Sequence, residues 1–267
     1  MTVEHLTHDQ LARIVTAGAL VFLGIMQIVR PGCFWGMSMY FKGARAAFNP
    51  GQRERLARVL AARQDAEGNT DVYSRYVGGL TILLAPLALL PAVPYVLPYA
   101  LSCVAMAVAV LFAYLRFRRA TERRVAPLVR RSPWASLSPI AIAATAVCMV
   151  GAAVFAAYPE FRLGVIIVIV SALVLLVIAW RVAVAPAILF GDDSQLEYLV
   201  DEHVRFCRAT NLVALACAPP TVLVALAVAA LPSTAHFSGV VTIAVSVAFV
   251  TVMVVSLNPM RKHIRLA

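Results

Sequence analysis

The densest group of chemically capable side chains lies in residues 191–208 (GDDSQLEYLVDEHVRFCR). Asp193, Glu197 and Asp201 stand four residues apart, so a helix through this stretch aligns three carboxylates on one face, with His203 close by. Clustered carboxylate oxygens are the ligands a hard divalent cation takes. A simpler chemistry fits the same residues. Acids at a helix start and arginines at its end complement the macrodipole, and Asp201 and Arg205 are spaced as an i,i+4 ion pair. On that reading the acids support a helix start, and Glu197→Gln costs only ~0.3–1 kcal/mol. This helix-supporting reading is preferred, leaving Asp193, Glu197, Asp201 and His203 as weak metal candidates and no assigned cofactor.

The remaining reactive residue types form no recognisable constellation. His5, His8, His203, His236 and His263 are scattered, without the i,i+4 pair and glutamate that zinc hydrolysis requires. The five cysteines, at 33, 103, 148, 207 and 217, include no CxxC pair and read as small buried hydrophobes. No serine lies in a nucleophile-elbow context, and no glycine-rich phosphate cradle is present. Gly78-Gly79 begins an apolar run, where it permits close helix packing. These absences point away from an enzyme.

The elements that must position such residues are set by hydropathy. Of the 267 residues 62% are hydrophobic and 13% charged; soluble domains carry roughly 45–50% and about 25%. A helix crosses the hydrocarbon core with about 20 apolar residues, and seven stretches qualify, at about 11–29, 77–93, 95–115, 136–158, 163–180, 209–231 and 237–257. Pro91-Ala92-Val93-Pro94 breaks one long uncharged run into the second and third helices. Arg181 ends the fifth span and snorkels to the headgroups, with the following residues along the interface to a bend at Pro186. The expected fold is an all-α polytopic membrane bundle in a single membrane domain. Its midspans hold hydroxyls, such as Thr81, Ser102 and Thr145, but neither carboxylates nor histidines. The stripe Ser238, Thr242, Ser246 and the stripe Ala105, Ala109, Ala113 both read as helix contact faces. A rhodopsin-like role is excluded, because the last helix lacks the lysine that a retinal Schiff base needs.

Counting the loops alternately places 21 of the 23 lysines and arginines on one side, with Arg13 and Arg162 on the other. The positive-inside rule then sets the N-terminus outside and the C-terminus in the cytoplasm. The net charge of +10 is therefore a topology signal and carries no implication of nucleic-acid binding. Residues 52–65 of the cytoplasmic 30–75 loop spell a basic amphipathic helix. Its Arg53, Arg55 and Arg58, together with Arg118, Arg119, Arg123 and Arg124 of the next loop, suit an anionic phospholipid surface. The Arg and Ala bias suggests a prokaryotic genome, and hence the cytoplasmic membrane.

Ile28-Val29-Arg30-Pro31, Phe34-Trp35, then Asp71, Tyr73, Arg75 and Gly78-Gly79 carry a likeness. Over about the first 90 residues the chain resembles a group of uncharacterised bacterial membrane hairpins with a Pro-x-x-Phe-Trp exit and an Arg…Gly-Gly re-entry. It is more loosely similar to Sdp-type immunity membrane proteins. The resemblance implies a membrane hairpin and no activity. An echo links Asp71…Arg75-Tyr76 with Asp201…Arg205-Phe206, each before an outward-running helix, as in a duplicated hairpin. The leading function is association as a subunit, regulator or immunity-type factor, with a homo-oligomer or another membrane protein as partner. The alternative is a permease component for a neutral or apolar solute.

Overall fold

The computed structural model describes residues 8–29, 54–55, 57–59, 61–62, 70–122, 132–186, 194–230 and 235–264. Seven long helices follow one another among them: α1 (His8–Val29), α2 (Asp71–Leu89), α3 (Val96–Glu122), α4 (Pro139–Val154), α5 (Pro159–Val184), α6 (Ser194–Ala230) and α7 (Ala235–Ile264). No strand occurs among the described residues. Helices α1 to α6 are each long and apolar enough to cross a bilayer, and α7 carries a shorter apolar stretch, Gly239–Val254. Large apolar side chains on their outer faces, such as Phe22, Leu83, Val150 and Val177, are more than half exposed. In water such a surface would be untenable; against lipid tails it is the expected boundary. The chain is a multi-pass integral membrane protein.

The helix ends follow from local chemistry. Prolines stand at the first helical positions of α4 and α5, where the missing N–H is an orphan in any case. Ser138 Oγ accepts from Ala141 N at 3.4 Å and caps α4. Pro133 starts a single 3₁₀ turn (Pro133–Ala135), so α4 begins at Pro139, three residues later than hydropathy alone implies. The break at Pro91–Pro94 is as expected, and Arg13 secures it. The Nη1 of Arg13 donates to Leu90 O at 2.6 Å and to Val93 O at 2.8 Å, while its Nε donates to Asp9 at 2.7 Å. Leu90 is the C-cap of α2, and its carbonyl also accepts from Val93 N at 3.1 Å, so the guanidinium adds a charged donor at this helix end and complements the dipole. Beside it Tyr95 lies 5.8 Å below the same guanidinium. Burial, reinforced by the negative charge of Glu160 and Asp9, pushes its phenol well above the usual range.

Two helix pairs pack most extensively, α1 with α2 and α5 with α6. Glycine makes the first possible. A Cβ on Gly24 would sit 2.7 Å from Gly78 O, and one on Gly78 would sit 2.7 Å from Gly24 O, so these backbones touch. Gly79, its neighbour, has nothing within 4 Å. Only Gly78 of the Gly-Gly pair therefore serves the crossing. Helix α6 occupies the middle of the bundle, packing against α5, α4, α7 and α1. Ala109 and Ala113 are buried and Ala105 half-buried, in keeping with a seam on α3. Among the described side chains of α7, Val245, Ala248 and Val252 are buried, whereas Ser246 is exposed. Thr242 of the hydroxyl stripe is half-buried, and the Ser238 side chain lies outside the described residues.

The end of α5 and the start of α6 depart from expectation. Helix α5 runs on through Arg181 to Val184, and α6 starts at Ser194, 15 residues before the expected start of the span at 209. Residues 194–208 are thus the first turns of a continuous helix. Helical spacing places their charges with Val200 and Val204 on the buried side.

Candidate functional site

Two places concentrate polar groups inside the bundle. The first is the N-terminal third of α6. Asp201 is fully buried, with Glu197, Arg205 and Arg208 between 1% and 5% exposed. Arg205 Nη2 donates to Asp201 Oδ2 at 2.5 Å and to Pro186 O at 2.9 Å, the latter just past the end of α5. The guanidinium of Arg208 lies 5.4 Å from the Phe117 ring centroid on α3. That of Arg116 lies 5.2 Å from the Tyr73 ring centroid on α2. Arginines thus tie α6 to the end of α5 and to α3, and α3 to α2, through a carbonyl and two aromatic faces, while the Arg205–Asp201 salt bridge lies within α6.

The i,i+4 pair expected of Asp201 and Arg205 is present, but it is buried rather than solvated. The membrane-length segment Val200–Ala230 begins earlier than the expected span at 209 and so takes in Asp201 at its start, away from the midspan. Asp201 meets an arginine, as a clip would. His203 is half-buried with Nε2 3.6 Å from Cys207 Sγ. Among the described residues no three His, Cys, Asp or Glu side chains gather as metal ligands. Asp193 lies outside the described residues, as do Arg53, Arg123 and Arg124. Arg55 and Arg58 are exposed on helical backbone, and Arg118 and Arg119 are exposed near the end of α3.

The second place is a partly open cavity of about 210 Å³ between α1, α2, α3 and α6. Apolar side chains such as Leu23, Met106 and Val222 form most of its wall, and Gln27, Thr81, Tyr99, Ser102 and Cys103 supply polar atoms. Hydroxyls in membrane helices ordinarily donate to the carbonyl one turn back. Thr16, Thr145, Ser171, Thr221 and Thr251 do so here at 2.8–2.9 Å. Thr81 does not. Its residue is 1% exposed, and Oγ1 has no hydrogen-bond partner among the described residues; the Gln27 side-chain oxygen is buried in the same condition.

The far wall is a proline-modified turn of α6. Pro219 and Pro220 lack N–H groups and so release the carbonyls of Leu215 and Ala216 from the helical ladder. Tyr99 Oη donates to Pro219 O at 3.0 Å, holding that wall against α3. No carboxylate, lysine, arginine or histidine lines the space. Its chemistry is that of a neutral pocket: an apolar body, one free amide oxygen and one free hydroxyl.

In the sequence Thr81 and Ser102 are legible only as polar content of spans. The available signal was Gln27 near the end of an apolar helix, combined with the Pro-Pro pair of α6. What was missing was the pairing of helices. The same holds for Cys148 and Cys217, 69 residues apart, whose Sγ atoms lie 3.5 Å from each other as free thiols. Comparison with known protein families, with curated proteins and with solved structures finds no match to this chain.

Proposed function

We propose that this protein binds a small, neutral, amphipathic solute in the cavity between α1, α2, α3 and α6, acting as a permease component or membrane binding protein. One observation carries the reading: Thr81 and Gln27 both line this cavity, and each has a buried side-chain oxygen without a hydrogen-bond partner among the described residues. Leaving such groups unsatisfied costs about 1–3 kcal/mol each, and a ligand with one donor and one acceptor relieves both. The space exceeds the ~150 Å³ that admits benzene in a dry cavity, so a hydroxylated ring is the right size. The absence of charge from the lining favours a neutral solute over an ion. The prolines of α6 free two helix carbonyls from N–H partners near the site, within a helix that stays continuous.

Tritiated phenol, measured by flow dialysis against protein in nanodiscs with empty nanodiscs subtracted, tests the reading. One saturable site is expected in the parent. Thr81→Val should weaken it roughly tenfold, the worth of one hydrogen bond. Ala218→Phe, which fills the cavity, should remove it. Non-saturable uptake that is equal in all three proteins overturns the proposal.

Association as a subunit or immunity-type factor is the second reading. Gly18 and Gly79 favour it, because no other atom lies within 4 Å of a Cβ placed on either. Such bare backbone on the α1–α2 hairpin is suited to close approach by another helix. The cytoplasmic membrane of a prokaryote remains the proposed location.

A further inference from the structure

The outer surface of the bundle carries a groove of about 790 Å³ between α3 and α5. Its walls are apolar along Leu111, Val170, Val174 and Val177, and two guanidinium groups, Arg118 and Arg181, stand at one end. Both arginines are exposed, and no carboxylate lines the groove. From Val170 to Arg181 the wall rises roughly 16 Å at 1.5 Å per residue. One leaflet of a ~30 Å hydrocarbon core is about 15 Å deep. The groove therefore runs the depth of one leaflet and ends in positive charge.

A second feature marks the same level. Trp180, beside Arg181, meets Trp134 edge-on with centroids 5.5 Å apart, and both are exposed. Tryptophans gather at the headgroup boundary of a bilayer. The arginines thus lie where phosphates lie. The buried charge cluster stiffens this end of the groove from behind. Arg208 stacks on Phe117, Arg205 bonds Pro186 O, and Phe117 and Pro186 are both groove residues.

We propose that this groove is a specific site for an anionic phospholipid of the surrounding bilayer, with an acyl chain along α5 and the headgroup phosphate between Arg118 and Arg181. The surface arginines attract acidic lipid without regard to position. The groove selects, because charge and chain length are matched at one place.

Native mass spectrometry of the full chain, released from micelles containing equal dioleoylphosphatidylglycerol and dioleoylphosphatidylcholine, tests this. One phosphatidylglycerol should be retained preferentially. Arg181→Gln should lower its apparent affinity ~5-fold and Arg118→Gln/Arg181→Gln ~30-fold, on the scale of a basic residue at an anionic surface. Arg119→Gln, which removes the same charge outside the groove, should leave the retained lipid unchanged. Val177→Phe narrows the chain-binding wall without touching charge and should also lose the lipid. Melting temperatures without added lipid identify any variant that fails to fold, and Arg181→Gln and Val177→Phe are independent of each other in that respect. Equal retention of the two lipids, as in a non-selective lipid annulus, overturns the proposal. So does an Arg119→Gln loss equal to that of Arg181→Gln, which would indicate diffuse surface charge.

Discussion

Replacing Asp201 by asparagine separates a buried clip from a solvated helix start. The substitution keeps size and shape and removes one charge from a pair whose side chains are 0% and 2% exposed. An exposed i,i+4 pair contributes about 0.3–0.5 kcal/mol. Removing one member of a buried pair costs about 3–5 kcal/mol, because the other charge stays buried without its counter-ion. Here Arg205 keeps its bond to Pro186 O, which holds the guanidinium in place and argues for the lower end, about 3 kcal/mol. Against the 5–15 kcal/mol typical of a folded domain, roughly, that loss is large.

Reversible unfolding in mixed micelles, followed by tryptophan fluorescence, reads the difference directly. The double variant Asp201→Asn/Arg205→Met sharpens it. It removes both charges and leaves the Pro186 carbonyl to find another donor at a cost of about 1–3 kcal/mol. It should therefore be no less stable than Asp201→Asn alone, although it carries one more substitution. If Asp201→Asn lies within about 1 kcal/mol of the parent, or if the two changes simply add, the pair is not the desolvated clip described here.

Two further outcomes follow from the packing and the charge distribution. Gly78→Ala should destabilise by more than about 1 kcal/mol, because the new Cβ would lie 2.7 Å from Gly24 O. Gly79→Ala, opening on free space, should be neutral or slightly stabilising in the same unfolding assay; equal losses would mean that the α1–α2 crossing is not the close one. Cysteine labelling in sealed membranes should place Gly68 and Gly191 in the cytoplasm and Ser233 outside, and a cytoplasmic Ser233 would break the seven-span, N-outside topology.

Hydropathy made the helices legible because lipid imposes one rule on every span. Twenty apolar residues are read without knowing what they face, and all seven expected spans overlap α1 to α7. The ends were less legible because they depend on chemistry finer than hydropathy. Pro139 moves one start inward, and the first turns of α6 extend it to Ser194. The charges of 194–208 illustrate the ambiguity. The same i,i+4 spacing describes a solvated face and a buried one, and only the packing of α5 and α6 decides between them. Asp71 and Arg75 share that spacing with Asp201 and Arg205, yet Arg75 is exposed and Arg205 is buried. The cavity was beyond reach for a related reason. Gln27, Thr81 and Tyr99 belong to three helices, and a hydroxyl in a span normally satisfies itself on its own backbone. What distinguishes Thr81 from Thr145 or Ser171 is a bond not made. Such an absence has no sequence signature; it comes into being only when α1, α3 and the Pro219-Pro220 turn of α6 close around α2.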